Sequence, residues 1–372
     1  MKEWNNQYNP FNSMKILVWR EHLENCAKDN YLPPISCDTD PSNRCNFDCL
    51  WCNAADIIKN QNVEERSTKC MDLPPEHLLN LADFYKEWGI LSTCVSGGGE
   101  PLMNKGVVPF LYRLKQNNVL SGVITNGSLI QEEHIDAFIE CCSWVGISMD
   151  ASTEDTYIKV KGIRNKKYFD IICNAAEKLG SKLRAKNSKM EFTFKFLIHP
   201  ENSNEIYDSI KLAKTLGFTQ IHLRPVGWDN LSATEGKEKP NFVPLFDEIN
   251  KQMERGRELE DASFKIYGIT HKFNPDFTKK TNFSRCWTIP MLPTFGADGN
   301  VHICFDMRGR KDLILCSHYP DPREILKVWN TEFHKNMIRN IKIEKCPRCT
   351  FGPYNEIVEE VFIKDKMTYR FP

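Results

Sequence analysis

The chain has 372 residues, with 49 lysines and arginines against 49 aspartates and glutamates, and 41% of it is apolar. That length suffices for two domains and a sizeable core, and zero net charge argues against a nucleic-acid binder that works by whole-chain electrostatics. The chain holds no apolar run of the roughly 18 residues a membrane span needs, and the run Ile16, Leu17, Val18, Trp19 is too short for a signal-peptide core, so a cytoplasmic protein with neither membrane nor nucleic-acid partners is expected.

Residues 1–35 are rich in Asn, Pro and polar groups and read as an N-terminal extension. From Ile35 onward short apolar runs alternate with amphipathic stretches. The spacing predicts a first strand near Ile35 and further strands over 91–96, 122–125, 144–149, 192–198 and 221–226. Helices are expected over 75–88, 107–116, 131–141, 168–179 and 204–216, with 183–189 as a charged connection. Strand and helix in alternation imply parallel βα units. The fold class is therefore α/β, a partial (β/α)6 barrel over 36–230, with catalytic groups on the loops at the C-terminal ends of its strands. Residues 231–280 read as a connecting helical segment, with Leu245, Ile249 and Met253 at helical spacing. Residues 281–372 change character and read as a small α+β domain, in which Phe295 to Val301 forms a hairpin turn.

Fifteen cysteines are the unusual feature of the composition. In a reducing compartment they point to metal or catalytic thiols rather than to a disulfide framework. Cys45, Cys49 and Cys52 are spaced C-x3-C-x2-C. Three thiolates on one loop can hold a [4Fe–4S] cube and leave one iron without a protein ligand. Further on, Ser96-Gly97-Gly98-Gly99-Glu100-Pro101 follows one predicted strand, Thr125-Asn126-Gly127 ends the next, and Ser148-Met149-Asp150 ends the one after. With Trp51 directly before the third cysteine, this set in this order resembles the radical S-adenosylmethionine (SAM) enzymes over about residues 36–227. The resemblance implies that SAM chelates the open iron and is cleaved by a reduced cluster to a 5′-deoxyadenosyl radical, which takes a hydrogen atom from an unactivated carbon. It also implies that Gly98, Gly99 and Glu100 hold the methionine amino group. Asn126 would join the SAM site, and Ser148 and Asp150 would contact the ribose or the amino-acid end.

Cys286, Cys304, Cys346 and Cys349 form a second group, spaced C-x17-C and, after 41 residues, C-x2-C, with Gly299 placed as C-x12-G-x4-C. This is similar to the start of the SPASM signature of auxiliary-cluster radical SAM enzymes. The signature's later cysteines are missing, as in the truncated twitch version. Four ligands suffice for one further [4Fe–4S] cluster, giving two per chain, and the same spacing also allows a structural zinc site. Cys316 and His318 lie between the halves of this group.

Strand parity places Phe192, Phe194, Phe196 and Ile198 on one face and Thr193, Lys195 and His199 on the other, with His222 and Arg224 sharing a face of the next strand. The polar face should look into the barrel. Lys195, His199, His222 and Arg224 would then line a cavity for an anionic substrate. Residues 306–311 could cap it with more positive charge. Cys94 and Cys316 are candidate hydrogen-atom donors, although a core thiol is the simpler reading of each. The leading expectation is an oxidoreductase or epimerase of a small carbohydrate-like or aminocyclitol-like substrate, with the auxiliary cluster as electron acceptor and a flavodoxin or ferredoxin as electron donor. The alternative is a peptide-modifying maturase. Such enzymes commonly carry a leader-binding domain before the barrel, whereas only 44 residues precede Cys45 here.

Overall fold

The computed structural model describes residues 12–52, 54, 72–226, 241–268, 283–346 and 349–364. Helix α1 (Arg20–Ala27) buries Leu23 and Cys26 and leads to β1 (Ser36–Thr39). Helix α2 (Pro75–Trp88) begins on a proline, whose missing N–H costs nothing at that position, and ends at Gly89 with φ 90°. Its buried Leu78, Leu81, Ala82 and Tyr85 form one stripe. Then come β2 (Ser92–Val95), α3 (Val107–Gln116), β3 (Leu120–Thr125), α4 (Glu132–Cys141) and β4 (Cys142–Ser148). Two helices, α5 (Glu154–Lys161) and α6 (Lys167–Ala185), precede β5 (Glu191–Ile198). The stretch expected as a charged connection is in part the last turn of α6, where Lys182 and Arg184 suit the negative end of the helix dipole. Helix α7 (Ile206–Thr215) leads to β6 (Gln220–Pro225), and α8 (Phe246–Arg257) leads to β7 (Lys265–Gly268).

Strands β1 to β7 pair in parallel in sequence order. The segment between barrel and C-terminal region therefore contributes a seventh parallel strand as well as the expected helix. Phe192, Phe194, Phe196 and Ile198 are buried on the helix side of β5, with Phe192 stacked on Phe218 at 4.0 Å.

The C-terminal region continues the same sheet. Strand β8 (Thr294–Phe295) runs parallel to β1, pairing Asp38 with Thr294 and Thr39 with Phe295. A turn through Gly299, φ 80°, reverses the chain into β9 (Asn300–His302), and β10 (Ile314–Ser317) closes the edge antiparallel to it. The strand order is β10-β9-β8-β1-β2-β3-β4-β5-β6-β7. Two short helices, α9 (Glu332–Arg339) and α10 (Gly352–Val358), complete this layer. The N-terminal segment is strapped to it. Asp29 pairs with Arg285 and, at 3.0 Å, with Arg339, and the Tyr31 N–H donates to Asn330 Oδ1 at 2.8 Å.

Candidate functional site

The loop carrying Cys45, Cys49 and Cys52 follows β1 and hangs on the end of α5. Asp48 N–H donates to the Lys161 carbonyl at 3.1 Å and Leu50 N–H to the Val160 carbonyl at 2.9 Å, one on each side of Cys49. Gly162, φ 60°, lets the loop approach, since a Cβ there would lie 2.0 Å from the Asp48 carbonyl oxygen. The three thiols are half-buried. Burial pushes Cys45 up to about 11 and Cys52 up to about 12, and each feels the charge of Cys49. Neutral thiols that repel one another on ionising are a donor set that becomes thiolate when a positive centre arrives. That chemistry fits an iron–sulfur cluster.

The three motifs after β2, β3 and β4 close round this loop. Gly99 N–H donates to the Ser42 carbonyl and Glu100 N–H to the Arg44 carbonyl, at 2.9 and 2.7 Å. A Cβ on Gly99 would lie 2.0 Å from the Arg44 carbonyl oxygen, so this glycine admits the backbone of the cysteine loop. Gly98 is buried in the same turn. The Glu100 carboxylate accepts from Thr125 Oγ1 at 2.5 Å, from Asn126 N–H at 2.7 Å and from Leu102 N–H at 3.2 Å, and burial raises it to about 7. Asn126 bonds to Asn46 of the cysteine loop at 2.9 Å and accepts from Ser128 Oγ at 2.6 Å. Asp150 sits in the left-handed region, φ 59°, held by the Leu197 N–H and the Lys161 ammonium, both at 2.6 Å. These side chains join the loop into one network, a role that motif spacing alone did not reveal. Ser148 is half-buried at the end of β4, in register with Lys195.

Inside the barrel, register sets Asp38, Cys94, Gly122 and Trp144 in one row across β1 to β4, and Ser148, Lys195 and His222 in a row across β4 to β6. The Trp144 indole lies across Gly122 and the Lys195 stem across Gly146; a Cβ on either glycine would come within 2.0 and 2.4 Å of them. Burial first and Arg224 next lower the Lys195 ammonium to about 8. The same burial, with Lys195 and Arg224 beside it, holds His222 neutral. Lys195, His222 and Arg224 therefore come together. His199 does not join them: its ring packs on Trp51 of the cysteine loop at 5.0 Å, and its N–H donates to Asn202 at 2.7 Å. Alternation ceases to govern where β5 ends at Ile198.

Of the segment 306–311, expected as a positive cap, Arg308 is the residue that meets this cavity, and its partners Asp38 and Asp40 were not expected. It reaches from the C-terminal layer to Asp40 at 2.8 Å and Asp38 at 3.1 Å. Burial raises Asp38 to about 7 against the pull of Arg308. Cys94 lies among Asp38, Lys195 and Arg308, and burial holds it as a neutral thiol. Cys316 sits instead on β10 at the sheet edge, near Glu324. His318 is buried against His77 and the Gly296 carbonyl, each at 2.9 Å.

Cys286, Cys304, Cys346 and Cys349 line one cavity of about 530 Å³ with Phe283, Phe351 and other apolar side chains. Burial raises all four thiols, and they act on one another. Asn355, fully buried on α10, accepts at Oδ1 from the Trp287 N–H at 2.7 Å and the Thr288 N–H at 2.9 Å, and its amide points to Cys349 Sγ at 3.9 Å. It fixes the Cys286 turn and faces a second ligand candidate. Among the described residues no three His, Cys, Asp or Glu side chains converge on a single ion. A tetrahedral zinc gathers its sulfurs ~2.3 Å from one centre, whereas a cube takes each thiolate on a different iron. Four thiols lining one cavity suit either arrangement as donors.

Residues 39–213 match the model of the radical SAM superfamily. The chain carries a radical SAM domain over this stretch. That radical SAM identity implies a [4Fe–4S] cluster and SAM as cofactors. The chain is 24% identical to the PqqA peptide cyclase of Gluconobacter oxydans over 333 residues, 85% of this chain and 83% of that one. It is 25% identical over 259 residues to the GTP 3′,8-cyclase of Helicobacter pylori, 64% of this chain and 73% of that one. The fold is similar to Streptococcus suis SuiB bound to S-adenosylmethionine, with TM-score 0.64, 14% identity, and coverage of 90% of this chain and 75% of that one. SuiB bound to its precursor peptide SuiA gives a TM-score of 0.62 at 14% identity, over 91% of this chain and 73% of that one. The fold is thus an α/β sheet whose residues 39–213 match the radical SAM model and whose C-terminal region continues the same sheet. No described helix is long and apolar enough to cross a membrane.

Proposed function

We propose that this radical SAM enzyme modifies a peptide, and that the modified segment presents an acidic group to Lys195 and Arg224 inside the barrel. The observation that carries the recognition is Lys195. It is a half-buried cation beside Arg224, 5.4 Å from the Trp144 ring centre, that makes no ion pair among the described residues, and a charge drawn out of water favours an opposite partner. The likeness to a peptide cyclase over most of the chain, and to a fold solved with a precursor peptide, favours a peptide over the small carbohydrate-like or aminocyclitol-like substrate expected from the sequence. The names of these relatives do not favour an oxidoreductase or an epimerase over other radical chemistry.

Cys45, Cys49 and Cys52 hold the cluster that binds SAM, near Gly98, Gly99, Glu100, Asn126, Ser148 and Asp150. When bound, cluster and SAM together supply a 5′-deoxyadenosyl radical that removes a hydrogen atom from the substrate. Cys286, Cys304, Cys346 and Cys349 hold an auxiliary cluster. Trp144 and the barrel wall exclude water, Lys195 and Arg224 orient the substrate, and Cys94 is a neutral thiol on the same wall.

The test is SAM cleavage by reconstituted, dithionite-reduced enzyme in the presence of paired peptide libraries that differ only in Glu against Gln, with nucleotides and sugar phosphates as separate arms. Stimulation of 5′-deoxyadenosine formation by Glu peptides, lost in Lys195→Ala, supports the proposal. Stimulation by sugar phosphates or nucleotides alone would return the small-molecule reading to first place.

A further inference from the structure

Two buried polar side chains on α5, one of them the Asp150 partner Lys161, lie behind the cysteine loop. Tyr157 is fully buried, its ring against Phe47 of the cysteine loop at 6.3 Å. Its hydroxyl has no hydrogen-bond partner among the described residues. A buried hydroxyl left unpaired is costly, so it marks a place where a partner outside the described residues belongs. Lys161 follows one turn later on the same face. It is 2% exposed, and its ammonium bonds Asp150 at 2.6 Å and lies 5.7 Å from the Tyr157 ring centre. The backbone of this same turn carries the two hydrogen bonds that flank Cys49. Among the charges that act on both side chains is that of Cys49.

We propose that Tyr157 and Lys161 are positioning residues that set the reduction potential of the iron–sulfur cluster held by Cys45, Cys49 and Cys52. Tyr157 donates its O–H to a sulfur of that cluster, and Lys161 supplies a buried positive charge behind it. The proposal rests on the reading of the three cysteines as cluster ligands. Hydrogen bonds and nearby charge are the protein's main levers on such potentials. Both groups favour the reduced, more negative state, so removing either makes reduction harder. The ion pair with Asp150 offsets part of the Lys161 effect, whereas the Tyr157 hydroxyl has no such competitor among the described residues.

The experiment is an anaerobic redox titration of reconstituted full-length enzyme by electron paramagnetic resonance. It follows the signal that changes on adding SAM and therefore reports the cluster with the open iron. Tyr157→Phe and Lys161→Gln are expected to keep wild-type iron content and to shift the one-electron equilibrium at least tenfold toward the oxidised form, about 59 mV more negative. Lys161→Arg is expected to stay near wild type. A Tyr157→Phe enzyme with full iron and an unmoved potential overturns the proposal, and so does a Lys161→Gln enzyme altered only in SAM affinity. Should Lys161→Gln lose its iron, Tyr157→Phe alone decides. A wild-type enzyme with no SAM-responsive signal overturns the cluster reading itself, a result distinct from an unmoved potential.

Discussion

Arg308 Nε lies 2.8 Å from Asp40 Oδ2, so a cation from the C-terminal layer neutralises carboxylates at the end of the first barrel strand. Removing it in Arg308→Ala leaves the buried Asp40 and the half-buried Asp38 without that cation, and for a buried pair such as Arg308–Asp40 the loss costs about 3–5 kcal/mol. Burial already holds Asp38 up to about 7, and it raises Asp40 as well. A carboxyl whose folded value exceeds its unfolded one makes the folded state hold more protons, so stability falls as pH rises between the two values. Without Arg308 this window widens upward. The melting-temperature deficit of Arg308→Ala is therefore expected to be largest near pH 7 and to shrink toward pH 4, as thermal unfolding monitored by circular dichroism at both values would show.

Lys195 gives a prediction on pH and substrate charge. With its ammonium lowered to about 8 by burial and by Arg224, capture of an acidic substrate should weaken as pH rises through that value. Lys195→Ala should lower kcat/KM for a Glu peptide by about 10- to 100-fold, the worth of a charged hydrogen bond, and leave a Gln peptide unchanged. Lys195→Arg should restore part of the loss. Steady-state kinetics from pH 6.5 to 9.5 would show a flat profile if the lysine took no part.

Asn355 offers a test of the proposal that each chain holds two clusters. Asn355→Ala removes the acceptor of the Trp287 and Thr288 N–H groups, each buried amide then costing about 1–3 kcal/mol. The Cys286 turn is expected to loosen. Iron per chain should fall from about eight to about four, with the SAM-responsive resonance signal intact. Loss of that signal instead would mean the two sites are not independent.

Gly162 makes the converse case. An alanine there must take φ 60° and place its Cβ 2.0 Å from the Asp48 carbonyl oxygen. The left-handed conformation alone costs about 1–2 kcal/mol, and the overlap forces the cysteine loop away from α5. Gly162→Ala should abolish SAM cleavage and keep about four iron per chain, read by iron analysis and by chromatography of 5′-deoxyadenosine.

Much of this was legible before the fold was known, because parallel βα units write their period into the sequence. Helices α2 and α3 match their expected bounds, and parity alone gathered Lys195, His222 and Arg224. It failed at His199, one residue beyond the end of β5. Strand β7 was missed because four residues, Lys265–Gly268, carry too little pattern in a charged stretch. Asp38 and Asn355 were invisible as site residues, and the partners of Arg308 within the expected cap 306–311 were invisible too, for a different reason: these pairs join remote parts of the chain, and no local spacing records them. Glu100 and Asp150 were found as motif acids, but whether a carboxylate meets a ligand or a backbone N–H depends on loop packing that the motif does not state.

The seam between β1 and β8 has a practical corollary for anyone dissecting the protein. Cutting the chain after residue 280 would not liberate an autonomous barrel. It would strip β1 of the strand that pairs Asp38 with Thr294 and bare a row of amides and carbonyls, the kind of open edge that templates aggregation. The same cut would remove Arg308 from between Asp38 and Asp40, so the fragment would carry two stranded carboxyls beside its own catalytic mouth. The halves of this enzyme are better regarded as one cooperative unit.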